Sequence, residues 1–78
     1  MSDKTQVPII QPGTYRHYKN KLYTVIGVAL HSETQEALVV YMPLYSSVAK
    51  YWVRPYDMFT ETVSINGEEV PRFERISD

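Results

Sequence analysis

The aromatic side chains are the feature that most constrains how this chain can fold. Seven tyrosines, two phenylalanines and one tryptophan occur among 78 residues, and there is no cysteine. A domain of this size buries only about 60% of its unfolded surface, and its stability is roughly 3–5 kcal/mol. Without cysteine it has no disulfide framework, thiolate zinc site or cysteine nucleophile. Because each aromatic residue buries about 150–250 Å², most of them are predicted to be structural.

Length and charge exclude several classes of protein. The chain is too short for two independent cores, so it forms one domain. Eight Lys and Arg residues against nine Asp and Glu residues give a net charge of −1, so no strong overall field draws it to nucleic acid or a membrane. No apolar run approaches the about 20 residues of a membrane span, and the N-terminus lacks a signal-peptide pattern. These features predict a cytoplasmic protein that does not bind membranes.

The first half of the chain has the pattern of strands. From Pro12 onward, β-branched and aromatic residues recur in short runs between turn signals, and no stretch has a sustained helical apolar pattern. Residues 13–19 alternate and then meet Asn20-Lys21, which predicts a two-residue turn because Asn tolerates a positive φ. In that register Tyr18 lies opposite Tyr23, and His17 lies opposite Thr24.

The second and third strands are predicted at residues 22–30 and 37–42, on either side of a turn at residues 32–36. The second is apolar on both faces, as is typical of a central strand, and Gly27 marks a bend. The predicted core face comprises Leu22, Ile26, Val28, Leu30, Leu38, Val40 and Met42. The apolar residues of both strands can lie on the same side only if the connecting loop has an odd number of residues or if one strand contains a bulge. The sequence is compatible with either arrangement.

Two local signals stand out near the C-terminus. A short strand at residues 51–54 is followed by one helical turn at residues 55–59, where proline occupies its favoured first position. The dipeptide Asn66-Gly67 predicts a type I′ turn. That turn sets the cross-strand pairs of the last hairpin, which are Ile65–Glu68, Val63–Val70 and Glu61–Arg72. Pro71 places the return strand at an edge or a bulge.

Five or six short strands with one helical turn predict a mainly β, or all-β, domain over residues 12–78. We expect a small, strongly bent antiparallel barrel, of SH3-like type, with a five-stranded open roll as the alternative. Residues 1–11 are predicted to be a flexible N-terminal arm that lays its short apolar stretch, residues 7–10, on the domain.

A series of short motifs runs in order through residues 12–76. It comprises Pro12-Gly13-Thr14-Tyr15-Arg16-His17-Tyr18-Lys19, Leu22-Tyr23, Gly27-Val28-Ala29, His31-Ser32-Glu33-Thr34, Leu38-Val39-Val40-Tyr41, Trp52-Val53-Arg54-Pro55, Met58-Phe59, Glu61-Thr62-Val63 and Val70-Pro71-Arg72-Phe73. Together these motifs resemble a family of small bacterial proteins known only as a domain of unknown function. Relatives often have glycine where this chain has Asn20, and both residues permit a positive φ. The resemblance implies no activity and no catalytic residues.

One group of side chains is the main candidate for a binding surface. Arginine offers a planar donor fork for carboxylate or phosphate, and tryptophan offers a flat face for stacking. The candidate residues are Tyr15, Arg16, His17, His31, Trp52, Arg54 and Tyr56. The competing structural interpretation places Trp52 in the core and pairs Arg54 with Asp57.

A metal or catalytic site is not favoured. His17 and His31 are predicted to lie far apart along one strand, whereas the ligands of one zinc ion lie about 2 Å from it, so we expect no metal site and no cofactor. The run His31-Ser32-Glu33-Thr34 lies in one hairpin loop, where a nucleophile and its base rarely converge. A small-molecule or enzymatic site built from His17, His31, Glu33 and Arg54 remains the alternative.

Charge is unevenly distributed along the chain. Residues 1–54 have a net charge of +3 and residues 55–78 have a net charge of −4. A positive face of Arg16, Lys19, Lys21 and Arg54 is suited to phosphates, unless the negative C-terminal hairpin folds over it and neutralises it. The leading prediction is a non-enzymatic binding module with a protein or nucleic-acid partner. A self-associating structural protein, and hence a homo-oligomer, is a further alternative.

Overall fold

The structure is a computed structural model that describes residues 7–78. The predicted flexible arm, residues 1–11, therefore lies partly outside the described residues. In the described part of the arm, Ile10 packs against the core, whereas Ile9 is exposed. The Tyr15 hydroxyl donates a hydrogen bond to the carbonyl oxygen of Gln11 at 2.7 Å. Ile10 and the Gln11 carbonyl therefore contact the domain, whereas the side chains of Val7 and Ile9 are exposed.

Residues 7–78 form seven strands and one short helix. They are β1 (Gly13–His17), β2 (Leu22–Leu30), β3 (Ala37–Pro43), β4 (Trp52–Pro55), α1 (Tyr56–Phe59), β5 (Thr62–Ile65), β6 (Glu68–Pro71) and β7 (Phe73–Ser77). Five strands form an antiparallel sheet in the order β4-β3-β2-β1-β7, and β5 pairs with β6.

The prediction of a mainly β domain with one helical turn is confirmed. The sheet is not closed into a barrel, because β4 and β7 end it without pairing to each other. Of the two predicted architectures, the open five-stranded arrangement describes the main sheet. Within residues 7–78 the structure contains no helix with the length and apolar character needed to span a bilayer.

The register of the first hairpin differs from the predicted one. Tyr23 lies opposite Tyr15, three residues from the predicted partner Tyr18. The turn contains three residues, 18–20, since the His17 amide donates to the Lys21 carbonyl at 2.7 Å, and Asn20 adopts a φ of 70°. This register directs Tyr15 into the core, where the predicted one would have directed Arg16. Burial of the aromatic residue therefore decided which register formed.

Of the two arrangements compatible with the sequence of the second hairpin, an odd loop or a bulge, the structure contains a bulge, between Val25 and Gly27. The predicted core face is wrong: Val25 and Val39 are the buried residues, whereas Leu22 and Ile26 are 39% and 47% exposed. Both faces of these strands are apolar, so the alternation of residues along them does not show which face of the sheet is buried. The distinction comes from the remote segments that pack on one face.

The core is a cluster of aromatic and β-branched side chains on one face of the sheet. Phe59 of α1 stacks on Phe73 of β7 with ring centroids 4.0 Å apart and an interplanar angle of 7°. The buried residues of the cluster are Tyr15, Val25, Val39, Tyr41, Phe59 and Phe73. Two of the seven tyrosines, Tyr15 and Tyr41, are thus part of the core, whereas Tyr45 and Tyr51 are exposed.

The last hairpin has the predicted register. Asn66 and Gly67 have φ values of 53° and 83°, as a type I′ turn requires, and Val63 lies opposite Val70. The predicted ion pair also forms, with Arg72 Nε 2.8 Å from a carboxylate oxygen of Glu61. Local turn chemistry was sufficient to predict this element.

Candidate functional site

A small cavity opens beside the aromatic core near β4. Its volume is about 200 Å³, and it is lined by Tyr23, Tyr41, Tyr45, Trp52 and Arg54. We call these five residues the Arg54 pocket. Strand geometry brings them together: Tyr41 lies opposite Trp52 in the sheet, and Trp52 and Arg54 alternate along β4, so they project to the same face.

Hydrogen bonds hold the walls of the Arg54 pocket. The Tyr23 and Tyr45 hydroxyls are 2.9 Å apart, and the Trp52 indole N–H donates to Ser47 Oγ at 3.0 Å. The Tyr23 ring also contacts those of Tyr41 and Tyr45 edge-on, at 5.3 and 5.7 Å between centroids. The segment that follows β3 is therefore tied to the sheet although it has no regular secondary structure.

Arg54 places a positive charge in this aromatic setting. Its Nε atom is buried and has no hydrogen-bond partner among residues 7–78, and its guanidinium carbon lies 5.7 Å from the centroid of the Phe73 ring. The competing interpretation, an ion pair with Asp57, is wrong, because no such pair forms in the described part of the chain. Leaving a buried donor unsatisfied costs about 1–3 kcal/mol, and more for a charged group.

The other groups near the Arg54 pocket reinforce its positive potential. Burial and the hydrogen bond with Tyr45 raise the pKa of the Tyr23 hydroxyl, so Tyr23 stays neutral at pH 7. Lys21 Nζ lies 4.9 Å from the centroid of the Tyr45 ring and adds a second cation at the rim. Since no carboxylate is among the lining residues, the pocket is suited to a negatively charged group.

His17 lies next to this site. Its ring packs edge-on against Phe73, with centroids 4.8 Å apart, and its Nδ1 accepts a hydrogen bond from the Lys19 amide at 3.1 Å. Burial lowers the pKa of His17, and the nearby charges of Arg72, Arg54 and Lys19 lower it further. The lowered pKa favours the neutral ring at pH 7, and because Nδ1 accepts a hydrogen bond, the neutral ring carries its proton on Nε2.

A larger surface cavity of about 410 Å³ lies between the β1–β2 turn, β7 and the hairpin of β5 and β6. Arg16 and Glu74 meet in it at 3.4 Å, so its charges are already paired. The rest of its wall includes Ile65, Val70 and Pro71. Although it is larger, this cavity contains no buried polar group that lacks a partner, so it is the weaker candidate.

The structure separates the predicted binding residues into several places. Trp52 and Arg54 line the Arg54 pocket, whereas Arg16 and His17 line the larger cavity. Trp52 is 41% exposed, so the interpretation that placed it in the core is wrong.

Three other predicted binding residues have structural contacts. Tyr15 is only 7% exposed and belongs to the core, so it presents no contact surface. The Tyr56 hydroxyl donates to the Ile9 carbonyl at 3.2 Å and holds the N-terminal segment. His31 Nδ1 accepts hydrogen bonds from the Glu33 and Thr34 amides at 3.1 and 3.3 Å, which orders the β2–β3 loop.

The alternative enzymatic site is not assembled. His31 and Glu33 lie in the loop beyond one end of β2, whereas His17 and Tyr23 meet near its other end. Across residues 7–78, no three side chains of the types His, Cys, Asp and Glu are grouped so that they could bind a metal ion. The predicted positive face is also divided, because Arg16 is paired with Glu74, whereas Arg54 is partly buried, with its Nε atom shielded by the residues around the pocket.

Sequence reasoning missed three residues of the pocket, Tyr23, Tyr41 and Tyr45. Tyr41 lies two residues from Val39 on a strand, which signals a shared face, but the buried face could not be chosen locally. Tyr45 reaches the pocket from an irregular segment and carries no periodic signal.

Comparison with known proteins agrees with the order of motifs in the sequence. Residues 13–75 match the family described as "Protein of unknown function (DUF1653)". The chain belongs to the DUF1653 family. A crystal structure of another DUF1653 protein, from Bordetella bronchiseptica, is 36% identical in sequence, and the match covers 87% of this chain and 88% of that one with a TM-score of 0.80. No curated protein matches this DUF1653 chain.

Proposed function

We propose that this DUF1653 domain is a non-enzymatic binding module whose ligand inserts an oxyanion into the Arg54 pocket. The observation that supports this most directly is the buried Nε of Arg54, which has no partner in the described part of the chain. A buried guanidinium nitrogen without a partner raises the free energy of the folded domain, and an anion bound in the pocket would offset part of that cost through its attraction to the guanidinium. The cytoplasmic location predicted from the sequence is part of the proposal.

The chemistry of the pocket favours an anion over a cation. Walls of tyrosine and tryptophan are typical of sites that hold quaternary ammonium groups. The guanidinium of Arg54 lies within those walls, however, and would repel such a cation. A carboxylate or phosphate oxygen instead accepts a charge-assisted hydrogen bond from the guanidinium.

The test uses the single tryptophan as a reporter. Benzoate and inorganic phosphate are titrated against the ¹⁵N-labelled domain at constant ionic strength, and the Trp52 indole N–H signal is followed. We expect saturable shifts with at least one anion, with a dissociation constant of about 1–10 mM for a group held by one arginine. Choline chloride serves as the cationic control and should produce no saturable shift.

Two charge-removing variants locate the binding. Arg54→Gln should abolish the response, whereas the matched control Arg16→Gln removes an exposed arginine outside the pocket and should retain it. The dispersion of the amide spectrum checks that both variants fold. An unchanged response in Arg54→Gln, or no saturable response to either anion in the wild type, would refute the proposed function.

A further inference from the structure

We infer that the ligand is an extended peptide that pairs with the free edge of β4 and places a carboxylate on Arg54. This inference rests on the proposed function and specifies its partner. It follows from three features of the molecule, which are the size of the Arg54 pocket, the position of β4 in the sheet and the charge of the pocket's lining.

The size of the pocket favours a ligand that is anchored there and extends beyond it. Sites that enclose a small molecule have volumes of about 300–1,000 Å³ and bury most of the ligand's surface. The Arg54 pocket has about 200 Å³ and is formed by five side chains. This space accommodates one functional group with a few neighbouring atoms, so the remainder of the ligand must lie on the surrounding surface.

That surrounding surface includes the edge of the main sheet. β4 is the terminal strand of the order β4-β3-β2-β1-β7, so its outer side has no strand partner among residues 7–78. Trp52 and Arg54 of the pocket belong to this same strand. Unpaired backbone amides and carbonyls on an edge are a template for an added strand, and a nearby pocket supplies side-chain specificity.

The two edges of the sheet differ in how they are protected. Native proteins discourage pairing at an edge with charged residues, and β7 carries Glu74 and Arg75. β4 instead presents Trp52 and Val53, which are 41% and 54% exposed and have high β propensity. Its one charged residue, Arg54, is turned into the pocket. Pro55 ends β4 and has no amide to donate, so the segment Trp52–Arg54 is the part of this edge suited to pair with another chain.

The charge of the lining favours a carboxylate. Arg54 is the only ionised residue among the five that line the pocket, and its planar fork matches the two oxygens of a carboxylate. A phosphate group carries up to two negative charges and is best held by several donors. A side-chain carboxylate of aspartate or glutamate and a peptide's C-terminal carboxylate share this chemistry.

The experiment begins with selection from a library of random octapeptides that have free C-termini. The wild-type domain is the bait, and Arg54→Gln is used for counter-selection. We expect enrichment of sequences that have an acidic residue or depend on the free terminus, flanked by β-branched residues. Enriched peptides are then synthesised with a C-terminal amide or with Glu→Gln, which distinguishes the two sources of the carboxylate. Removing the correct carboxylate should weaken binding about tenfold or more.

Backbone pairing is tested separately from carboxylate binding. The same peptide is N-methylated at alternate positions, and exchange of the Trp52–Arg54 amides is measured by NMR. One alternate set of methylations should weaken binding about tenfold while the other has little effect, because only every second amide faces the partner strand. Binding should also slow amide exchange in β4.

Each outcome bears on a distinct claim. If benzoate or phosphate binds through Arg54 but no peptide is enriched, or if bound peptides tolerate both methylation sets, the proposed function stands and the peptide inference is wrong. If a mixed-sequence single-stranded oligonucleotide displaces benzoate and no peptide does, the partner is a nucleic acid and the inference is again wrong. If no anion binds at all, the proposed function itself fails.

Discussion

At the residue scale, the side chains with unusual surroundings are Arg54 and His17. Both lie against Phe73, and each side chain is partly buried. Arg54 Nε has no hydrogen-bond partner among residues 7–78, whereas His17 has a lowered pKa and uses Nδ1 as an acceptor. A guanidinium cannot deprotonate in a protein, so it needs an acceptor from elsewhere, while an imidazole can become neutral.

The neutral state of His17 makes stability depend on pH. Its pKa in the folded state is lower than the ordinary value of 6.5, so the unfolded chain binds the proton more readily. We expect the contribution of His17 to the free energy of unfolding to be complete above about pH 6.5 and to be lost as pH falls through the lower folded-state pKa. Urea unfolding between about pH 5 and 7.5 measures this dependence.

The variant His17→Asn is the comparison for that measurement. Asparagine does not titrate, and its side-chain oxygen can still accept a hydrogen bond from the Lys19 amide, as in an Asx turn. Its free energy of unfolding should fall less steeply with decreasing pH than that of the wild type. Carboxylates contribute to both proteins alike, so equal slopes would show that His17 does not have a lowered pKa.

At the element scale, the backbone preferences of adjacent residues predicted some elements correctly and others incorrectly. The Asn66-Gly67 turn and the helical turn after Pro55 were predicted correctly because each depends on backbone preferences of adjacent residues. The register of the first hairpin was wrong because both turn lengths are compatible with Asn20. Only the pairing of β1 with β7 and the burial of Tyr15 distinguish the two registers.

Gly13 gives a direct test of the pairing between β1 and β7. It adopts a φ of 143°, and a Cβ atom there would lie 2.5 Å from the carbonyl oxygen of Ser77. Gly13→Ala should therefore lower the free energy of unfolding by about 2–3 kcal/mol, through backbone strain and displacement of β7. Urea unfolding measures this loss.

Gly27 offers a matched control for this substitution. It also lies in a strand of the main sheet, but a Cβ atom there would meet nothing within 4 Å. Gly27→Ala should change the free energy of unfolding by no more than about 0.5 kcal/mol, or raise it slightly through reduced backbone entropy. If both variants lose the same stability, the close approach of Gly13 to β7 is not present in solution.

At the scale of the whole molecule, two aromatic rings hold the ends of the segment that carries the second sheet. The chain between β4 and β7 contains α1, β5 and β6, and Phe59 and Phe73 lie at either end of it. Their stacked contact holds this segment against the face of the main sheet on which Val39 and Tyr41 are buried. Among residues 7–78 no segment packs against the opposite face of the sheet, so Leu22 and Ile26 are partly exposed.

Truncation of Phe59 tests the dependence of the fold on this contact. Phe59 is 1% exposed, and a buried phenylalanine replaced by alanine costs about 3–5 kcal/mol, which equals the whole stability expected of this domain. Phe59→Ala should therefore show no cooperative thermal transition by circular dichroism or calorimetry, whereas Phe59→Leu should retain one at lower temperature.

Met58→Ala is the control in the same helical turn. Met58 is 45% exposed, so its truncation should change the free energy of unfolding by less than about 1 kcal/mol. A cooperative transition in Phe59→Ala close to that of Met58→Ala would mean that the core does not depend on the aromatic stack.

Only part of the candidate site could be predicted from the sequence, because its residues come from separate segments of the chain. Trp52 and Arg54 were identified because their side chains suit binding whatever the fold, and they are two residues apart on one predicted strand. The tyrosines that complete the pocket come from β2, β3 and the irregular segment after β3. Their meeting depends on strand order and on which face is buried, and neither is encoded in adjacent residues.

The amino-acid sequence was enough to predict that the domain is mainly β, that it contains a type I′ hairpin and one helical turn, and that it depends on aromatic residues because it has no cysteine. These properties follow from turn chemistry, alternation and composition, which act over a few residues. Three features depend on long-range contacts: which face of the sheet is buried, the register of the first hairpin, and the position of Arg54 among aromatic side chains. The reason is that both faces of β2 and β3 are apolar, so only the aromatic side chains of α1 and β7, brought from distant parts of the chain, could select between them.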